Sequence, residues 1–169
     1  DAAVFYLARM LYAGEDPKFI ARRMIICAAE DVGNADPHAL MVAVAAMQAV
    51  DFVGLPEGKI ILSQAVTYIA CAPKSNRAGG AVFNAWTDVE NIPVITLPPY
   101  LKDSHYSGAE KLSRGIGYQY AHDFPGAFVE QQYLPNEIAD RIYYHPSENG
   151  IEKKIKESLK KIFPRKNYD

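Results

Sequence analysis

Two runs of the chain carry no charged residue, and they limit the folds that it can adopt. In residues 39–50 the only polar side chain is Gln48, and in residues 60–72 the polar positions are Ser63, Gln64 and Thr67. Both runs are rich in alanine, which favours helix. A helix that is apolar on nearly every side must be surrounded by protein, and neither run reaches the about 20 apolar residues that cross a bilayer. We therefore expect two central helices, covered by other helices of the chain or by another subunit.

Further helices are predicted on both sides of this pair. Asp16-Pro17 and Asp36-Pro37 are typical helix starts, because the acid caps free N–H groups and proline fits the first turn. The pattern also predicts a helix over residues 76–89, which include the single Trp86. We expect a helical bundle over residues 1–90.

The second half of the chain favours loops. Prolines hold residues 92–99 in an extended form, either a short edge strand or a strap over the bundle. Residues 115–135 are aromatic without a helical period, and we expect an ordered loop pinned by buried rings. Together residues 91–146 form a loop-rich strap in this interpretation.

A last helix is predicted over residues 147–163. Ile151, Ile155, Leu159 and Ile162 repeat along one face, which we expect to dock on the bundle. The other faces carry lysines, and residues 151–169 hold seven basic groups against three acidic ones in a chain of net charge −2. Such a basic tail is either a solvated helix face or a surface for an anionic partner. The residues of that surface are Lys153, Lys154, Lys156, Lys160 and Lys161.

The bulk properties indicate one domain over residues 1–169. At this length a chain buries roughly 70% of its unfolded surface, and 49% hydrophobic residues exclude a disordered chain. Cys27 and Cys71 lie in apolar surroundings, so we expect reduced core thiols, with a disulfide as the alternative. We accordingly expect a cytoplasmic protein, or a nuclear one in a eukaryote. Because the chain starts at Asp1 inside an amphipathic pattern, we expect it to be the C-terminal piece of a larger protein.

A nucleotide-binding loop is not predicted. The segment from Gly54 to Ile60 has two glycines before Lys59, but a phosphate-binding loop needs four residues between its glycines and a hydroxyl after the lysine. Here three residues separate Gly54 from Gly58, and Ile60 replaces the hydroxyl. We interpret the segment as a corner between two helices.

No catalytic or metal-binding residue is assigned from spacing. Asp103, Ser104 and His105 are neighbours in sequence and cannot form a Ser–His–Asp relay by themselves. The four histidines stand far apart, without the spacing of zinc ligands. His122 beside Asp123 is the most enzyme-like pair, since imidazole next to a carboxylate can act as a general base. The alternative is that both side chains tie down the loop backbone.

Several motifs resemble a known family. They include residues 1–11, 13–17, 20–23, 35–37, 64–65 and 117–118, together with Ala29-Glu30-Asp31-Val32-Gly33, Ala72-Pro73-Lys74-Ser75-Asn76, His122-Asp123-Phe124-Pro125-Gly126 and Gln132-Tyr133-Leu134-Pro135. Together they resemble the C-terminal region of the replication-associated recombination protein A family of AAA+ ATPases, relatives of eukaryotic Werner helicase-interacting protein. The resemblance covers residues 1–155.

This resemblance implies an all-α fold similar to the collar domains of clamp-loader subunits. It also implies a module that holds ATPase subunits together, most often as a homotetramer, at stalled or damaged replication forks. ATP and Mg²⁺ would bind only in an N-terminal ATPase core outside this chain, so no cofactor, metal or catalytic residue is expected here. Signature residues without an assigned role are Lys74, Ser75, Asn76, Gly117, Tyr118, His122, Asp123, Pro125 and Gly126.

Two alternatives to an assembly module remain open at this point. One is a module that binds DNA or a single-strand-binding protein through the C-terminal lysines, and the other is a small enzyme centred on His122 and Asp123. A membrane partner is not expected. A continuous basic surface would favour the first alternative, and a deep pocket with convergent polar groups would favour the second.

Overall fold

The computed structural model describes residues 1–93, 96–103 and 115–168. Its α-helices are α1 Ala2–Tyr12, α2 Pro17–Cys27, α3 His38–Val53, α4 Gly58–Cys71, α5 Arg77–Asn91 and α6 Glu152–Ile162. Within these described ranges no residue belongs to a β-strand. The all-α prediction is therefore confirmed.

The internal contacts divide the chain into two compact units, and the division falls within α5. Unit 1 comprises Asp1–Ala85 and Ile142–Asp169, and unit 2 comprises Trp86–Arg141. Each unit is described below by itself.

The core of unit 1 lies around α3 and α4, the helices that contain the two charge-free runs. α3 packs along α4, α2 packs against both, and α1 lies against the side of α4. The side chains at the centre are mostly small, which lets the helix backbones approach closely. Those with no more than 1% of their surface exposed include Ala21, Val32, Ala39, Ala43, Leu62 and Ala65.

Both predicted helix starts are present. The Asp16 carboxylate accepts a hydrogen bond from the Lys18 backbone N–H at 2.9 Å, and Pro17 occupies the first turn of α2. In the same way the Asp36 carboxylate accepts one from the His38 N–H at 3.1 Å, where α3 begins. Each acid satisfies an N–H that has no partner within its helix.

The segment between α2 and α3 is irregular, which the sequence did not predict. A π-helical turn, Ala28–Val32, is followed by a 3-10 turn, Gly33–Ala35. Gly33 has a φ of +52°, and a Cβ there would lie 2.6 Å from the carbonyl oxygen of Ser75. Only glycine fits this close approach of two chain segments.

α6 begins later than predicted, at Glu152 rather than near residue 147. Gly150 has a φ of +54°, and a Cβ there would overlap the carbonyl oxygen of Ala35, so the chain cannot be helical before this point. The predicted docking face is also only partly right, because Ile151 and Ile162 are 45% and 43% exposed. The fully buried residue of α6 is Glu152.

Unit 2 contains the last residues of α5 and several 3-10 turns, and Val129 and Ile138 are buried in it. The expectation of buried rings in its loop is wrong, because Tyr118 and Tyr120 are more than half exposed. The predicted extended segment 92–99 includes residues 94 and 95, which lie outside the described residues. The Ser104–His105 pair lies outside them too.

The two cysteines are both thiols, as expected, but they do not share one environment. Cys27 is half-buried, whereas Cys71 on the last turn of α4 is exposed, so its expected place in the core is wrong. In the part of the chain that the structure describes, no helix has the length and apolar character required to cross a membrane.

Candidate interaction surfaces

Three segments of unit 1 meet at a group of polar side chains, of which two are buried and three are half-buried. We call this group the polar joint; its members are the buried Ser75 and Glu152 and the half-buried Asn34, Tyr144 and Ser147. The Glu152 carboxylate has no exposed surface. It accepts hydrogen bonds from the Tyr144 hydroxyl and from the Ser147 backbone N–H, both at 2.8 Å. Asn34 in turn donates to the Tyr144 hydroxyl at 3.1 Å. Every bond joins chain segments that are distant in sequence or closes the turn before α6.

The electrostatics of the polar joint depend on these hydrogen bonds. Burial acts to raise the pKa of Glu152, but hydrogen bonds from Ser147, Ser75 and Tyr144 outweigh it, and the pKa is lowered from its usual value. Burial and the neighbouring Glu152 raise the pKa of Tyr144 to about 12. The buried charge is thus held by neutral donors rather than by a cation.

The signature residues Lys74, Ser75 and Asn76 lie beside this joint and connect α4 to α5. The Lys74 ammonium donates to the last carbonyl groups of α4, at 2.7 Å for Ile69. The Ser75 N–H donates to the Asp31 carbonyl at 2.8 Å, and the Ser75 hydroxyl accepts from the Arg77 N–H. The side chains therefore end one helix and start the next.

A shallow depression of about 450 Å³ opens between Cys27, Asp31 and these signature residues. Burial and the nearby Asp31 raise the pKa of the Cys27 thiol above its ordinary value. A nucleophilic cysteine needs the reverse, a lowered pKa that supplies thiolate at neutral pH. This depression therefore lacks the electrostatics of a cysteine active site.

The signature residues of unit 2 lie on its surface. His122 and Asp123 share one 3-10 turn, Ala121–Asp123, and both are exposed. The His122 ring packs beside the Tyr120 ring at 5.1 Å, and the Asp123 N–H donates to the Tyr120 carbonyl at 3.0 Å. The structure brings Gly117, Tyr118, Pro125 and Gly126 to exposed positions as well.

The lysines of α6 do not form one uniform face. Lys153, Lys154, Lys160 and Lys161 are exposed. Lys156 is partly buried, and its ammonium pairs with the Glu148 carboxylate at 2.8 Å, which lowers the pKa of Glu148. The basic surface predicted from the sequence thus contains four exposed cations and a fifth that is paired within the chain.

The outer side of the two central helices exposes large apolar side chains. Met41 and Phe52 of α3 are 65% and 93% exposed, and Ile60 of α4 is 74% exposed. We call these residues, with Ala45 and Gln64 between them, the α3–α4 face. Between its two helices runs a groove of about 260 Å³, lined mainly by Ala45, Ala46, Ala49 and Ala65. No charged side chain occurs in residues 39–50 or 60–72, and the nearest charged residues in sequence are Asp51, beside Phe52, and Lys59, beside Ile60.

α5 carries a second apolar surface. Val82, Trp86 and Val89 follow each other at spacings of four and three, so they lie on one side of the helix. They are 57%, 63% and 65% exposed, and no residue of α5 is buried. We call these three residues the α5 stripe. The sequence analysis placed the helix but missed the stripe, although its spacing was a visible signal.

Glu152 is the other residue that the sequence analysis missed. It was counted only as one of three acids against the C-terminal lysines. Its position after Gly150 and five residues after Ser147 is compatible with a cap, but nothing local indicates that Tyr144 and Asn34 approach it.

Among the described residues no group of three His, Cys, Asp or Glu side chains could hold a metal ion.

The fold and these surfaces are those of a helical module without a formed catalytic centre among the described residues, and comparison with known proteins defines its class. A family model described as "MgsA AAA+ ATPase C terminal" matches residues 1–163. The chain therefore belongs to the family of C-terminal domains of MgsA-type AAA+ ATPases, which confirms the resemblance seen in the sequence.

Relatives at high identity cover nearly the whole chain. An uncharacterized AAA domain-containing protein of Mycobacterium tuberculosis is 48% identical over 96% of the chain and 36% of its own length. Replication-associated recombination protein A of Bacillus subtilis is 41% identical over 98% of the chain and 39% of its own length. ATPase WRNIP1 of Dictyostelium discoideum is 35% identical over 85% of the chain and 17% of its own length. The chain thus spans little more than a third of the length of these bacterial relatives.

Proposed function

We propose that this chain is the part of an AAA+ ATPase through which copies of the protein assemble, most often as a homotetramer. The observation that carries the proposal is the α3–α4 face, where large apolar side chains remain exposed on two helices whose residues 39–50 and 60–72 carry no charge. Monomers rarely leave contiguous apolar patches of this kind in water. Symmetric self-association is the commonest way in which soluble proteins cover them.

The relatives support a setting for this assembly. Several are named replication-associated recombination protein A, so we propose that the assembled ATPase acts in DNA replication and recombination, in the cytoplasm. We further propose that ATP and Mg²⁺ bind in the part of the protein outside this chain, and that the collar-like helical domain described here carries no catalysis.

Light scattering on the 169-residue chain at tens of micromolar tests the assembly directly. We expect a multiple of the monomer mass, 18.7 kDa, with four copies as the leading outcome. Phe52→Glu should lower the mass, because it places a charge on the α3–α4 face. Tyr12→Glu is the matched control, since Tyr12 on α1 is 96% exposed but lies off this face. A monomeric mass for the unaltered chain would refute the proposal.

A second candidate function is favoured by the exposed lysines of α6. Lys153, Lys154, Lys160 and Lys161 present four cations to solvent on one helix. Such a surface attracts either DNA phosphates or the acidic tail of a single-strand-binding protein. Salt weakens both interactions and cannot choose between them.

Separate titrations distinguish these ligands. Labelled single-stranded DNA and an acidic peptide that ends in phenylalanine are each added to the unaltered chain at low salt. Changing Lys153, Lys154 and Lys160 to Glu should abolish whichever binding occurs. The control changes Arg22 and Arg23, which are exposed on α2, to Glu. If neither ligand binds the unaltered chain, the lysines are a solvated helix face.

A further inference from the structure

The α5 stripe has the spacing of a helix that packs against other helices. Val82, Trp86 and Val89 repeat at four and three residues, the interval that keeps apolar groups along one seam. All three remain more than half exposed in the single copy. Phe83, at 71% exposure, widens the same side of the helix toward its N-terminal end.

The α3–α4 groove has the opposite shape. Four of the residues that line it are alanines, and the others are Val42, Ile61 and Gln64. A lining of small side chains admits large ones from a facing helix, as ridges fit grooves between packed helices. None of the residues that line the groove is charged, so an apolar side chain that enters it displaces no charged group.

We propose that the α5 stripe of one copy docks in the α3–α4 groove of a second copy, with Trp86 as the anchor. This inference rests on the proposed assembly function and names the surfaces that carry it. The two surfaces differ from each other, so the contact is heterologous: each copy offers a stripe to one neighbour and a groove to another. Repetition of such a contact closes a ring when the rotation between neighbours is right, and a ring of four gives the tetramer.

The areas are compatible with a stable contact. A large aromatic side chain buries 150–250 Å², so the stripe with Phe83 supplies on the order of 500 Å² of a standard interface's roughly 800 Å² per partner. Met41 and Phe52 of α3 and Ile60 of α4 are exposed on the two helices that form the groove, and they add apolar surface to the other side of the contact. Aromatic anchors seated in a pocket carry most of the affinity in such interfaces.

Trp86 is the only tryptophan of the chain, so its fluorescence reports on the stripe alone. We expect blue-shifted emission in the assembled chain and a red shift on dilution. Ala45→Arg alters only an exposed groove position, yet it should give the red-shifted emission of a solvated Trp86 at all concentrations. Ala8→Arg, in the separate groove between α1 and α4, is the matched control and should leave the emission unchanged.

Mixing two variants tests whether the contact joins different surfaces. Val82→Asp damages the stripe and Ala45→Arg damages the groove, and each variant alone should be monomeric. Together they keep one intact stripe and one intact groove, so the mixture should form a dimer and no larger species. Asn84→Asp adds the same charge on the opposite side of α5 and should leave the assembly intact.

The outcomes separate this inference from the proposed function. An unaltered chain that is monomeric refutes both. An assembled chain in which Ala45→Arg leaves Trp86 emission and mass unchanged refutes only the docking of the stripe in the groove. Assembly of the Ala45→Arg variant with itself, while Val82→Asp stays monomeric, would show that α5 pairs with α5 instead. Circular dichroism of each variant confirms that its helices are retained.

Discussion

At the residue scale, two glycines and one buried acid determine how the segments of unit 1 meet. Gly33 and Gly150 both adopt positive φ at points where another backbone passes too close for a Cβ. The Ile151 N–H donates to the Ala35 carbonyl at 2.9 Å, directly beside Gly150. Contacts between distant segments determine these positions, so they accept only glycine although the local sequence shows no special pattern.

Gly150→Ala should destabilise the chain strongly. The new methyl group would overlap the Ala35 carbonyl oxygen, and the positive φ itself costs an L-residue about 1–2 kcal/mol. We expect a loss of at least about 2 kcal/mol in the free energy of unfolding by urea. Gly80→Ala in α5 is the control: nothing lies within 4 Å of its added Cβ, and it should be neutral or stabilising. Equal effects of the two changes would contradict this account.

Glu152→Gln should lower stability at neutral pH and flatten its dependence on pH. The folded pKa of Glu152 lies below its unfolded value of about 4.5, so the charged form stabilises the fold above that pH. This contribution is lost as the pH falls from about 4.5 through the folded pKa. Urea unfolding at pH 7 and at more acidic values should show the variant weaker by about 1–3 kcal/mol at pH 7 and closer to the unaltered chain in acid.

The matched control for this experiment is Glu157→Gln, an exposed acid of the same helix. It should leave the stability at pH 7 nearly unchanged, because a solvated carboxylate has no buried hydrogen bonds to lose. If the difference between the Glu152→Gln variant and the unaltered chain is the same at both ends of the pH range, the carboxylate charge does not stabilise the joint.

At the element scale, helices were predictable and their ends only partly so. Asp16 and Asp36 are local signals, because a cap acts on residues two or three positions away, and both predicted starts are correct. The start of α6 was predicted too early because its limit, Gly150 against Ala35, is a contact across more than a hundred residues. Periodicity could place α5, but whether a stripe is buried or exposed depends on neighbours that the sequence does not show.

Some of the candidate surfaces could likewise be predicted from the sequence, and others could not. Charge-free runs identified α3 and α4 in advance, and the lysines of α6 were visible as composition. The polar joint was not, because Asn34, Ser75, Tyr144 and Glu152 come together only after folding. The exposed rings of unit 2 show a further limit of prediction from sequence. An aromatic residue indicates contact with an apolar partner, but not whether that partner belongs to the same chain.

Lys74→Met should weaken the C-terminal end of α4. The Lys74 ammonium donates hydrogen bonds to the carbonyl oxygens of Ile69 and Ala72. Its positive charge also interacts favourably with the negative end of the helix dipole. Because Lys74 is largely exposed, we expect a modest loss, about 0.5–1 kcal/mol in the free energy of unfolding. Lys59→Met is the control at the N-terminal end of α4, where the end of the helix dipole is positive and does not stabilise a cation. That control should be neutral or slightly stabilising, and a larger loss there would reverse the explanation.

At the scale of the whole molecule, three candidate interaction surfaces are exposed to solvent. The α3–α4 face, the α5 stripe and the lysines of α6 lie on different elements, and each is exposed. The polar joint holds the start of α5 against the segment between α2 and α3. Its contribution is therefore to hold the first turn of α5 in place within unit 1.

The last prediction concerns nucleotide, because the Gly54–Lys59 corner superficially resembles a phosphate-binding loop. Such a loop offers free backbone N–H groups to the phosphates. Here those groups are already bonded within the corner: the Gly54 N–H to Val50, the Gly58 N–H to Gly54 and the Lys59 N–H to Pro56, at 2.9, 2.8 and 3.2 Å. The corner therefore closes α3 onto α4 with three of its N–H groups, including those of both glycines, already bonded.

We accordingly expect calorimetry of the 169-residue chain with ATP and Mg²⁺ to show no saturable binding, and no phosphate release on incubation. Lys59→Met should leave this result unchanged. Saturable binding that Lys59→Met abolishes would mean that the corner opens to accept phosphate, at the cost of its own hydrogen bonds. Hydrolysis by a longer protein would not bear on the corner, because an ATPase core joined to this chain would supply its own phosphate-binding loop.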